Sequence, residues 1–253
     1  MPNFDAVFAG VDPTSARGGC SYAVLDLDLK LIALTEGELE GLVACLAPHR
    51  SATVAVNSPS GVNRGLVREI LQSRSDGSHQ VRGADMRLVE HELRSAGIAV
   101  AGTPSRVGLC PAWMQAGFEI YRELSKAGFQ QAASSAAEQR LIETQPEACF
   151  RVILGRAALP KPTLEGRLQR QAALHERGLQ VTDPMMFFEE ITRHRLVQGA
   201  LPVDLILAPE QLDALVAAYT AWLAFRDPSA VQWIGAESEG QVVLPGTITG
   251  PTH

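Results

Sequence analysis

The spacing of apolar positions changes along the chain, and each change predicts an element. AVFAGV at 6–11 is continuously apolar and stops at Asp12, and the PTSARGG after it is rich in turn formers, which predicts a buried strand followed by a loop. CSYAVLDL at 20–27 and KLIAL at 30–34 are two further strand-like runs, joined tightly through Asp28 and Leu29. Together the three runs read as an antiparallel meander. From Glu38 to Leu46 the apolar residues Leu39, Leu42, Val43 and Leu46 recur at helical spacing and stop before Pro48, so a helix leads into a fourth strand, TVAVN, ending at Asn57. A strand that returns through a helix can lie parallel to the first, an α/β arrangement. Open α/β sheets place their sites outside the carboxyl ends of strands, and Asp12 and Asn57 occupy two such ends.

Residues 62–138 read as a long insertion of mixed, partly helical character within a single domain spanning 1–253. The polar stretch QSRSDGSHQ at 72–80 predicts a mobile surface loop. In PAWMQAGFEIYRELSKAG, Met114, Phe118, Tyr121 and Leu124 have helical spacing, ending at Gly128. RLIETQP then supplies a fifth strand with Glu143 near its end. The remainder reads as mainly helical: PEACFRVILG opened by Pro146, TLEGRLQRQAALHERG with Thr163 and Gly166 near its start, MMFFEEITRHRLVQG after Pro184, and the alanine-rich PEQLDALVAAYTAWLAF with Asp213 one turn in. VQWIG and EGQVVLPG close the chain as a small hairpin or edge pieces. The expected fold is a mixed five-stranded α/β sheet flanked by helices.

Composition narrows the function. A 253-residue chain with 46% hydrophobic and 20% charged residues has an ordinary globular balance and can bury a sizeable core. The net charge of −6 argues against binding nucleic acid by broad electrostatic attraction, though not against a local cleft. Cys20, Cys45, Cys110 and Cys149 are far apart and form no C-x-x-C pair, so buried free thiols are expected rather than a zinc knuckle or disulfide framework. With no leader-like segment and no long apolar run, a cytoplasmic protein without a membrane partner is expected.

Three acids stand in informative places: Asp12 and Glu143 at strand ends, and Asp213 near the start of an otherwise apolar helix. Clustered carboxylates on rigid elements suit Mg²⁺ or Mn²⁺, hard cations that take oxygen ligands and, in pairs about 4 Å apart, drive phosphodiester hydrolysis. Locally, Asp12 before Pro13 also suits a turn, and Asp213 a first helical turn. Arg82, Arg87 and Arg94 near Glu90 and Glu92 offer phosphate contacts, with a solvated helix face paired Glu90 to Arg94 as the favoured alternative. Lys161 and Arg167 fit substrate contact and local pairing equally well. The histidines, including His91, His175 and His194, form no zinc-hydrolase pattern, and no G-x-x-x-x-G-K-[ST] loop is present. The glycines of PTSARGG are placed less tightly than in the phosphate loop of actin-like ATPases, which keeps ATP binding there as a runner-up reading. Ser58, Ser60 and Cys110 have no evident His partner.

GVD at 10–12, VNSPSG at 56–61, VEHELRSAGI at 89–98, IETQPEACFRVILG at 142–155, KPTLEGR at 161–167, DALVAAYTAWLA at 213–224 and EGQVVLP at 239–245 occur in an order that resembles domain of unknown function family 429, predicted nucleases with a ribonuclease H-like fold. The resemblance covers about residues 6 to 246. It implies a metal site of Asp12, Asn57, Glu143 and Asp213, with Asp12, Glu143 and Asp213 catalytic; Arg87, Lys161 and Arg167 are the candidate substrate contacts. At Asn57 the family pattern shows Asp; an amide carbonyl still coordinates a hard cation but adds no charge. The expected activity is metal-dependent hydrolysis of nucleic acid, with Mg²⁺ or Mn²⁺ as cofactor. The alternative is a catalytically weakened or inactive relative that binds a nucleotide or a protein partner.

Overall fold

The computed structural model describes residues 5–14, 19–74, 84–131, 138–192 and 197–248. Strands β1 (Ala6–Asp12), β2 (Cys20–Leu25) and β3 (Leu31–Gly37) form the expected antiparallel meander. Leu29 turns the chain between β2 and β3 with φ 59°. Helix α1 (Leu39–Leu46) then returns the chain to β4 (Ser51–Val56), which pairs parallel with β1. Helices α2 (Leu66–Arg74), α3 (Leu88–Ser95) and α4 (Ala112–Lys126) follow, then β5 (Gln130–Gln131) and β6 (Gln139–Thr144). Helices α5 (Pro146–Leu154), α6 (Leu164–Glu176), α7 (Met185–Glu190) and α8 (Pro209–Arg226) precede the closing hairpin of β7 (Gln232–Ile234) and β8 (Val242–Leu244).

The fold is α/β with a mixed sheet of eight strands, where five were expected. Its order is β3-β2-β1-β4-β6-β8-β7, with β5 also pairing to β6. The three strands beyond those five are only two or three residues long; β7 and β8 form the small closing hairpin anticipated in VQWIG and EGQVVLPG, and β5 is too short to show a period in sequence. Gln72–Arg74, expected in a loop, close α2 instead; residues 75–83, including Arg82, lie outside the described residues, as do 15–18 of the first loop and His194. Of the helix expected over 185–199, α7 covers Met185–Glu190 and a π-helical turn continues through 191–192, residues 193–196 lie outside the described residues, and a turn occupies 197–199.

Strand alternation splits the core into two layers. Val7, Ala9 and Val11 of β1, with Val54 and Val56 of β4 and Leu141 of β6, face α1 and α4. Phe8, Ala55 and Ile142 face the other way, against α5 and α8. Helix α8 is buried nearly all round, and alanines 214, 217, 218 and 221 let it approach the sheet closely. At the crossing a Cβ on Gly10 would overlap Ala214 O and Ala218 N, so β1 touches α8 backbone to backbone. That contact sets Asp12 and Asp213 side by side. Cys20, Cys110 and Cys149 are buried free thiols and Cys45 is half-buried. No helix among the described residues is long and apolar enough to cross a membrane.

Candidate functional site

Asp12 ends β1 on the layer facing α8, because its side chain alternates with Val11 and follows Phe8 and Gly10. It is fully buried. Oδ1 accepts the Thr14 backbone N–H at 2.7 Å and the Thr14 hydroxyl. Asn57 continues β4 in register beside it, its own N–H bonded to Val11 O at 2.8 Å, and its Nδ2 donates to Asp12 Oδ2 at 3.0 Å. An aspartate at position 57 would instead set two anions in contact. The amide donates to Oδ2 and fixes the orientation of the Asp12 side chain.

Asp213, one turn into α8, is 5% exposed and within hydrogen-bonding reach of Asp12. Burial pushes its pKa up, the Lys161 ammonium opposes, and Asp12 beside it pushes further, to about 7. Lys161 Nζ forms an ion pair with Asp213 Oδ2. Burial lowers the Lys161 pKa, but Asp213 and Asp12 outweigh it, and the net direction is upward. The KPTLEGR segment explains how Lys161 is aimed. Thr163 caps α6 by accepting Gly166 N–H at 3.0 Å, and a Cβ on Gly166 would collide with the Pro160 carbonyl, so the glycine lets the Lys161 loop lie on the helix. Arg167 donates to the carbonyls of Leu207 and Ile206, tying α6 to the loop that enters α8. Its guanidinium is committed to the scaffold that presents Asp213.

Glu143 does not join this group. It pairs in register with Val56, and paired residues on neighbouring strands share a face, so it points to the α4 layer while Asp12 and Asn57 point to α8. The β6 residue on the α8 face is Thr144, bonded to Val243 O at 2.8 Å. Both Glu143 oxygens are taken: Oε2 by the Ser60 N–H at 2.8 Å and Arg87 Nη1 at 3.0 Å, Oε1 by Arg87 Nη2. The cage of four expected ligands is thus divided between the two faces of the sheet. Among the described residues no three His, Cys, Asp or Glu side chains are grouped to hold a metal ion.

Arg87 is likewise no solvated helix residue. It is 2% exposed, and its guanidinium also donates to Glu90 Oε1 at 3.0 Å and Glu239 O at 3.1 Å. Burial alone would lower its pKa; Glu143 and Glu90 outweigh burial and raise it. Glu90 is held by Arg87 and by the Thr103 N–H at 2.7 Å, not by Arg94, which donates to Val100 O. Glu239, missed as a functional position despite its place in EGQVVLP, accepts N–H bonds from Arg64 at 2.7 Å, Leu66 at 3.3 Å and Leu88 at 2.9 Å. Its buried carboxylate fastens the 61–66 loop and the start of α3 to the closing hairpin. The segment read as an insertion is bound into the sheet through these residues.

A cleft of about 260 Å³ opens over the aspartates, lined by Thr14, Asn57, Trp113, Gln145, Lys161 and Asp213 among others. Trp113, at the start of α4, was outside the sequence-based set. Its chemistry is visible only once α4 is placed beside the ends of β1 and β4.

The model of the family described as protein of unknown function (DUF429) matches residues 10–238. Searches of curated proteins and of solved structures returned no match.

Proposed function

The chain belongs to the DUF429 family, and from that premise we propose that it is a divalent-cation-dependent phosphodiesterase acting on nucleic acid, with Asp12 and Asp213 holding a single Mg²⁺ or Mn²⁺ ion. The observation that carries this reading is the pair of neighbouring buried carboxylates, Asp213 on α8 lining a cleft and Asp12 at the end of β1 beside it. Two anions in a low-dielectric site repel unless a proton or cation sits with them. Oxygen donors on two rigid elements suit a hard cation. The β3-β2-β1-β4-β6 order, a meander followed by parallel strands, supports a ribonuclease H-like descent.

Charge decides between one ion and two. On the α8 side Asp12 and Asp213 face Lys161, which leaves one net negative charge when all are ionised. With Asn57 neutral and both Glu143 oxygens held on the other layer by Ser60 and by Arg87, which Glu90 shares, a second divalent ion has no carboxylate left to bind. When bound, such a cation supplies neutralisation of phosphate charge and activation of water as a nucleophile. The side chains do the rest: Asn57 and Thr14 keep Asp12 oriented. Lys161, half-buried and paired with Asp213, already lines the cleft, where its ammonium would meet a substrate phosphate.

Asn57 and the Arg87–Glu143 pair are the observations that favour the alternative, a relative that binds a nucleotide or protein partner without cleaving it. The deciding experiment is cleavage of single-stranded, duplex and hybrid oligonucleotides with Mg²⁺ or Mn²⁺. The proposal expects turnover that Asp12→Asn and Asp213→Asn each abolish. A protein inert with both metals, or variants as active as the parent, would overturn it.

A further inference from the structure

The cleft also bears on which form of nucleic acid can reach the aspartates. Asp213, 5% exposed, lines the cleft, with the fully buried Asp12 beside it, and Trp113 forms part of its wall together with Val100, Asn57 and Gln145. Trp113 is half-buried, with no aromatic partner and no hydrogen bond from its indole N–H among the described residues. It also borders the small cavity lined by Ser58 and Thr144, so the indole lies between two cavities at the strand ends. Gln145 accepts Ala148 N–H through Oε1 to cap α5, which leaves its Nε2 as a donor without a partner among the described residues.

We infer that the site takes an unpaired nucleotide, at a single-stranded stretch or strand end, with its base stacked on Trp113 and its phosphate directed to Lys161. This rests on the phosphodiesterase reading and specifies its substrate. Three physical points lead to it. A duplex is a stiff rod with its bases already stacked inside, and it cannot bend a phosphate to the floor of a cleft of about 260 Å³. An unpaired strand can splay a base out, and an aromatic side chain is the usual platform for it. The chain as a whole carries a charge of −6, so it lacks the broad cationic surface that tracks a duplex backbone, whereas stacking needs no such surface.

The test is binding of fluorescein-labelled single-stranded decadeoxynucleotide and of the same sequence as a blunt duplex, by fluorescence polarisation, with Ca²⁺ as the cation to suppress turnover. The parent protein should bind the single strand at least about 10-fold more tightly than the duplex. Trp113→Ala should weaken single-strand binding about 5- to 100-fold, the range that stacking one base on an aromatic ring contributes, and Trp113→Phe should keep most of the affinity. Thermal unfolding of each variant checks that it is folded; if Trp113→Ala is not, the Phe variant and the parent's single-strand preference carry the test. Equal or tighter duplex binding, binding of neither form, or a folded Trp113→Ala variant with parental affinity would overturn the inference. Its failure is distinguishable from that of the activity. Trp113-dependent single-strand binding with no hydrolysis under Mg²⁺ or Mn²⁺ removes the enzyme and leaves this inference, while preferred duplex cleavage insensitive to Trp113 does the reverse.

Discussion

Replacing Arg87 with methionine separates a buried latch from a solvated helix face. The guanidinium reaches both oxygens of Glu143, Glu90 Oε1 and Glu239 O, with Arg87, Glu90 and Glu143 all at or below 4% exposure. Methionine keeps most of the side-chain volume but leaves two buried carboxylates without their counter-charge. Removing one partner of a buried ion pair costs about 3–5 kcal/mol. Glu90 retains the Thr103 and Arg87 backbone donors and Glu143 retains Ser60 N–H, which places the expected loss near the lower end, about 3 kcal/mol. At roughly 2–4 °C per kcal/mol for a domain of this size, melting should fall by about 10 °C. The informative assay is a urea double-mutant cycle with Glu143→Gln, because neutralising the stranded acid should restore part of the loss. Coupling of about 1 kcal/mol or more is expected between residues in such contact. An Arg87→Met variant within about 0.5 kcal/mol of the parent, the range of ordinary surface substitutions, or strictly additive effects, would refute the reasoning.

The remaining predictions concern the site's acid and the packing that presents it. Burial and neighbouring Asp12 raise Asp213 from 3.8 to about 7 against the opposing pull of Lys161, so the folded chain holds this proton more tightly than the unfolded one. Its stabilising contribution is full below about pH 4 and is lost as pH rises through 7; at about 1.4 kcal/mol per tenfold change in proton affinity it amounts to roughly 4 kcal/mol at most. Urea midpoints of metal-free protein should show that slope, Asp213→Asn should flatten it, and affinity for Mg²⁺ should rise with pH across the same window as the competing proton leaves. Gly10→Ala should cost more than about 3 kcal/mol by overpacking against α8, whereas Gly37→Ala, where a Cβ meets nothing within 4 Å, should stay within about 0.5 kcal/mol by the same urea measurement.

The meander, the parallel β1–β4 pair, the N-terminus of α5 at Pro146 and the long alanine-rich α8 were legible because each carries a strong local signal: an apolar run, a helix-opening proline, or a period sustained over many residues. The closing hairpin of β7 and β8 falls in VQWIG and EGQVVLPG, read as a small hairpin or edge pieces, whereas the two-residue β5 carries no signal. Asp12, Asn57, Asp213 and Lys161, each singled out in sequence, lie together in the structure, since strand ends and one helical turn are positions that sequence spacing locates. Glu143 was assigned to the wrong face because face depends on register between strands distant in sequence, and a shift of one residue reverses it. Counting from Val56 opposite Glu143 would have separated it from Asn57. The Arg87 network was not legible as a buried one: Glu90, Glu143 and Glu239 reach it from three remote segments, while local spacing favoured an exposed Glu90–Arg94 pair. Trp113 has no unusual sequence context at all, and only the placement of α4 gives it a site to face.

The most direct test of the account is a count of Mn²⁺ ions bound per chain, by electron paramagnetic resonance titration at pH 8, in the parent, Asp12→Asn and Glu143→Gln proteins. The account predicts one ion in the parent, none at the same concentration in Asp12→Asn, and one still in folded Glu143→Gln. Two ions in the parent with one lost in Glu143→Gln, or no bound ion in the parent, would contradict it.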